Sequence, residues 1–168
     1  MSTRRTVLDR LADLELPPEY MNDVMLAAAL FTGGPVEPYP NLTRYDDRLA
    51  GVLDWTDGVP RIFFEIYDPP TRQRFSVAHE IGHFVLHARH HTQCHCTQSA
   101  VDREVDEDAE AVLDVEREAD AFAAAFLLPA DPVRADLVHF GRCIAFLAAR
   151  YQVSEPAMRR RLRTLERL

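Results

Sequence analysis

The sequence predicts an α+β fold, mostly helical, with a small β-sheet placed before a helix that carries paired histidines. Three observations predict it. Two short runs with strand character, Leu49 to Trp55 and Arg61 to Tyr67, precede an apolar helical stretch centred on Val77 to His83. Helical patterns then follow through to the C-terminus. The length of 168 residues suits one domain, 1–168, around a single core. With 47% hydrophobic and 27% charged residues, the composition is that of a folded chain rather than a disordered one.

In order along the chain, Thr6 to Glu15 reads as an amphipathic helix with Val7, Leu8, Leu11 and Leu14 on one side, ended by Pro17 and Pro18. Tyr20 to Phe31 reads as a second helix closed by Gly33 and Gly34. Pro35 to Pro40 reads as a rigid extended connector, so residues 1–48 read as N-terminal helices and a connector. The two strands are joined by the turn residues Asp57 and Gly58. Pro69 and Pro70 punctuate the chain before a helix of roughly Arg72 to Ala88. Ile144 to Tyr151 and Glu155 to Leu165 give two further helical patterns, with Ser154 as the N-cap of the second ahead of Pro156.

The central helix contains His79-Glu80-Ile81-Gly82-His83, an HExxH pattern. Four residues apart on an α-helix, the histidines project about 40° from one another, one turn apart. Two imidazoles so related can hold one zinc ion, and Glu80 can act on a zinc-bound water. The alternative is a pair of surface histidines, but Phe75, Ala78, Ile81, Gly82 and Val85 make the rest of the helix apolar. Polar groups on a buried helix need internal partners, and a metal provides one.

A zincin-like site needs a third protein ligand and leaves the fourth position open. Downstream, Glu116, Asp120, Ala123 and Leu127 share one helical face. A carboxylate at Glu116 would complete a His-His-Glu set, and Asp120 would accept the outer N–H of a ligating histidine. Glu118 competes for the ligand role, although a helix turns it roughly 160° away from Glu116. The plain alternative for these acids is a solvated first turn stabilised by the helix dipole, a reading that suits Glu118 and Asp114 better than Glu116 and Asp120.

The block Arg72 to His87, followed by Glu116-Arg117-Glu118-Ala119-Asp120-Ala121-Phe122 and on to Pro129, resembles the ImmA/IrrE family of zinc metallopeptidases from about Leu49 onward. The resemblance implies one catalytic zinc on His79, His83 and Glu116, with Glu80 as catalytic base. It also implies proteolysis, inside the cell, of a regulatory protein, commonly a helix-turn-helix DNA-binding repressor, in a stress or phage-related response. His87, one turn past His83, matches a histidine frequent in the family and is expected to support the ligands rather than bind zinc.

Other segments bear on function. The strand ahead of the zinc helix could pair its edge with a substrate peptide, or the hairpin could simply cover the helix. His90, Cys94, His95 and Cys96 gather metal-binding side chains in one loop, open to a second metal, to a thiol occupying the open zinc position, or to no role beyond a polar loop. Cys143, in an apolar pattern, is expected as a small core residue. Arg159, Arg160, Arg161 and Arg163 give the last helix a basic face reminiscent of a helix-turn-helix. Ala145, Leu147, Ala148, Val153, Met158, Leu162 and Leu165 favour packing of 142–168 on the core instead. A net charge of −8 argues against nucleic acid or anionic lipid as a general partner. With three cysteines, no signal-peptide pattern and no long apolar run, the expected compartment is the cytoplasm. Two other functions remain open: a non-catalytic zinc-binding sensor or antirepressor that sequesters a regulator, and a DNA-binding regulator with structural zinc.

Overall fold

A computed structural model describes Val7, Leu11 and residues 23–45, 49–56, 58–87, 93–97 and 107–167, the chain path alone being described for 93–97 and 107–113. Its fold is α+β. The elements run α1 (Val24–Thr32), β1 (Val36–Tyr39), a 3₁₀ turn (Leu42–Arg44), β2 (Leu49–Asp54), β3 (Arg61–Glu65), α2 (Pro70–His87), β4 (Gln93–Thr97), α3 (Glu107–Leu127), α4 (Ala130–Phe140), α5 (Ile144–Arg150) and α6 (Glu155–Leu165). Among the described residues no helix is long and apolar enough to cross a membrane.

The first predicted helix lies outside the described residues except for Val7 and Leu11, both helical and partly buried against the main core. In α1, the Asp23 carboxylate accepts from the backbone N–H groups of Met25 and Leu26, and Gly33 ends the helix at φ 67°. That left-handed geometry is one glycine adopts without a Cβ penalty.

The sheet has the order β1-β3-β2-β4. The β2–β3 hairpin is antiparallel, β4 joins the other side of β2 antiparallel, and β1 pairs parallel to β3. Three expectations change here. The Pro35–Pro40 connector is a strand over most of its length, because an edge position tolerates the missing N–H of Pro38. The loop after the HExxH helix contains β4. Both hairpin strands are interior, so neither has an edge left for a peptide, and the outer strands are β1 and β4.

One face of the sheet packs on the helices. Leu53, Ile62 and Phe64 meet Val77, Ala78 and Ile81 of α2, Phe122, Ala123 and Phe126 of α3, and Val24, Ala27 and Ala28 of α1 in a single core. The opposite face carries a smaller cluster of Leu42, Leu49 and Val52 with Phe63 against it. The buried Glu65 carboxylate accepts from the N–H groups of Asn41, Leu42 and Tyr67, fixing the 3₁₀ turn over this second cluster.

Leu147, Ala148, Val153, Met158, Leu162 and Leu165 join the main core, so α5 and α6 lie against the body of the protein. The Ser154 hydroxyl accepts from Ala157 N–H at the start of α6. Two residues expected in the core differ. Ala145 is exposed, since the buried side of α5 is formed by Leu147 and Ala148. Cys143 is also exposed, because it is the N-cap residue ahead of the helix and lies off its buried face. The basic stripe of α6 is reduced in two ways. Arg161 turns inward and donates from Nε to the Leu128 carbonyl at 2.8 Å, closing the end of α3, and Arg159 pairs with Glu155 at 3.0 Å.

The sequence reading also missed α4. Pro129 precedes it, Pro132 sits in its first turn and Gly141 closes it at φ 68°, the proline-first, glycine-last asymmetry of helix ends.

Candidate metal centre

Two helices build the centre, and small residues let them meet. α2 begins at Pro70, whose ring is compatible with a first helical position, while the Pro69 carbonyl accepts from Arg72 and Gln73 N–H. α3 crosses it closely at Gly82. A Cβ there would lie 3.1 Å from the Ala119 Cα and 3.2 Å from both the Ala119 carbonyl oxygen and the Phe122 Cβ. Gly82 and Ala119 thus bring backbone to backbone, and the carboxylates flanking Ala119 reach the histidines.

His79 and His83 lie on the buried side of α2, at 9% and 1% exposure. Their Nε2 atoms are 2.9 Å apart. Glu116 supplies Oε2 at 3.2 Å from His79 Nε2 and Oε1 at 3.5 Å from His83 Nε2. Ligand atoms of these three residues all fall within 4.8 Å of one another, the one such group of three or more among the described residues. On the far side of the ring, His79 Nδ1 lies 3.0 Å from Asp120 Oδ1. With Nδ1–H donated to Asp120, the neutral His79 ring presents a lone pair at Nε2, toward the other two donors.

Inward-facing lone pairs and a carboxylate, all acceptors, require a positive charge between them. A proton is one solution. Burial alone would push the His79 imidazolium down, but hydrogen bonds to Asp120 and then Glu116 outweigh it and raise its pKa to about 9. Burial would likewise raise Glu116, yet the hydrogen bonds from His79 and His83 hold it down at about 2. A divalent cation is the other solution. A tetrahedral zinc with bonds of about 2.05 Å has ligand–ligand edges of about 3.3 Å. The observed separations of 2.9, 3.2 and 3.5 Å, the last two to different Glu116 oxygens, lie around that value, so the donor set fits zinc in both chemistry and size.

Glu80 is buried at 1% exposure beside the donors in sequence, and central strand β2 covers it. A Cβ on Gly51 would sit 2.8 Å from Glu80 Oε1, so the strand backbone approaches this carboxylate closely only because residue 51 has no side chain. Sequence reading did not single out Gly51. A glycine inside a strand pattern is the general signal for such an approach.

The remaining predicted site residues lie as follows. His87 continues the histidine row, with its ring centroid 5.7 Å from that of His83, and stands outside the three-donor group. Its Nε2 is 3.7 Å from Glu118 Oε2. Glu118 therefore borders the same row rather than a free acidic first turn, because α3 starts at Glu107 and residues 114–118 fall in its interior. His90 lies outside the described residues. Cys94, His95 and Cys96 lie on β4, where they pair with Leu53, Val52 and Gly51 of β2.

No curated protein matches the chain. A family pattern does, and it spans both helices of the centre: residues 37–163 match Peptidase_M78, the IrrE N-terminal-like domain, and the chain belongs to this metallopeptidase-like family.

Proposed function

We propose that the protein is a zinc-dependent endopeptidase, with His79, His83 and Glu116 as the ligands and Glu80 as general base. The observation that carries the reading is the convergence of three donors from two helices beside a buried glutamate, in a chain of a peptidase family. A bound zinc would supply a Lewis acid that polarises a peptide carbonyl and lowers the pKa of water. Glu80 would take the proton from the attacking water and pass it to the leaving amine. Asp120 would hold the His79 ring with Nε2 turned inward, and His87 with Glu118 would bound the row at its far end. Resemblance to the ImmA/IrrE family supports a regulatory protein as substrate, a helix-turn-helix repressor above all, and a site of action inside the cell.

The close approach of Gly51 yields a test within this reading. In Gly51→Ala protein the new methyl meets the buried Glu80 side chain along its length, 2.8 Å from Oε1 and 3.3 Å from Cγ, so the carboxylate must shift. Zinc content should change little, since the three ligands are untouched. Cleavage should fall on the order of a hundredfold, the scale of an ångström-level misplacement of a catalytic group. Unchanged cleavage would mean that Glu80 acts from another position, or does not act.

The function itself is tested by capturing protein partners on Glu80→Gln protein and incubating each with the wild type. New N-termini in a captured partner support the endopeptidase. Partners that bind and stay intact would instead identify a zinc-binding sensor that sequesters its regulator.

A further inference from the structure

The buried side of α6 is taken up by Met158, Leu162 and Leu165 in the core and by Arg161 on the Leu128 carbonyl. Its other side is exposed and carries Arg160 and Arg163, with Arg167 just past the helix end. Neighbouring Arg142, Arg150 and Arg159 are each paired with an acid, whereas among the described residues no acid pairs with these three. Glu166, the acid beside them, is engaged by Arg142. In a chain of net charge −8, that is a local excess of the opposite sign. The frame that presents it is also distinctive. Four residues, Tyr151 to Ser154, join α5 to α6. Gln152 sits in the left-handed region at φ 53°, and Val153 N–H returns to the Ala148 carbonyl at 3.0 Å, so one helix stops sharply and the next begins. Two helices on a turn of three or four residues form the unit that lays its second helix in the major groove of DNA.

We propose that the exposed face of α6 docks on the phosphate backbone of duplex DNA through Arg160, Arg163 and Arg167. Packing and docking use opposite sides of the helix, so the surface exists with the domain folded as it is. The start of α6, which reads base edges in such units, is otherwise occupied. The Ser154 hydroxyl caps Ala157, Glu155 is held by Arg159, and Pro156 has no N–H to offer. Phosphate contacts position a protein and carry no sequence information, so the docking is independent of sequence. The deep, narrow major groove of duplex RNA does not admit a helix in the same way. None of the three arginines belongs to the metal-donor group, so the surface stands apart from the zinc reading. For a peptidase that cuts DNA-binding regulators, it would bring the centre to its substrate.

Fluorescence anisotropy of a short labelled DNA duplex, titrated with the full chain, tests this without a peptidase assay. The wild type should bind two unrelated duplexes equally. With three phosphates met, affinity should fall about fortyfold between about 50 and 200 mM salt. Arg160→Gln and Arg163→Gln should each weaken binding to both duplexes and lower the slope of log affinity against log salt by about one. The triple variant with Arg167→Gln should not bind. Arg44→Gln, which removes an exposed charge from the 3₁₀ turn, should behave as the wild type. No binding by the wild type at low salt overturns the proposal. So does binding that survives in the triple variant, which would place the contact elsewhere. Hairpin RNA or polyglutamate competing as well as unlabelled duplex would show a general polyanion surface and overturn the assignment to duplex DNA. A preference between the two duplexes would overturn docking through the backbone alone.

Discussion

Glu116→Ala protein is expected to lose most of its zinc, while Glu118→Ala protein keeps nearly all of it. The two glutamates are two residues apart on α3 and differ in what they face. Glu116 offers both oxygens to the histidine Nε2 atoms, at 3.2 and 3.5 Å, whereas Glu118 reaches only His87, at 3.7 Å. Removing a group that merely supports a ligand typically weakens metal affinity by about 10–100-fold, and this is the scale expected for Asp120→Asn. Glu116→Ala, His79→Ala and His83→Ala should each exceed it. Zinc per chain after dialysis against a weak chelator ranks the variants. Loss of zinc on changing Glu118, with retention on changing Glu116, would show that α3 presents a different carboxylate to the centre.

Glu80→Gln carries the second large effect. The side chain is fully buried and the change preserves its size, so the fold and zinc content should survive. Loss of general-base catalysis typically lowers a rate by about a hundred- to ten-thousand-fold. The variant should bind its partner and fail to cut it, and in cells the partner's regulated genes should stay uninduced. If wild type and variant release those genes equally, with the partner intact in both, the enzymatic reading fails even with zinc bound.

Legibility in the sequence followed the range of the interactions. The helix bearing His79, Glu80 and His83 was readable because its apolar face and polar triplet are local, and α6 was delimited by Ser154 and Pro156 for the same reason. The placement of Glu116 and Asp120 on one face followed from helical spacing alone, although which helix they would meet did not. Tertiary features were not readable. That Gly51 touches Glu80, that Gly82 admits Ala119 and that residues 93–97 join β2 all depend on partners distant in sequence. Local cues also misled. Pro38 masked an edge strand, and an apolar neighbourhood put Cys143 in the core when its N-cap position leaves it exposed. Arg161 looked like part of a solvent-facing basic stripe, but the open carbonyl end of α3 recruits it inward.

The central claim is that one zinc, held by His79, His83 and Glu116, makes this chain a peptidase. Its most direct test is the rate of partner cleavage by chelator-stripped protein as zinc is returned in measured steps. The rate should start near zero, rise in proportion to bound zinc and level off at one zinc per chain. Cleavage at the full rate in exhaustively stripped protein would contradict it.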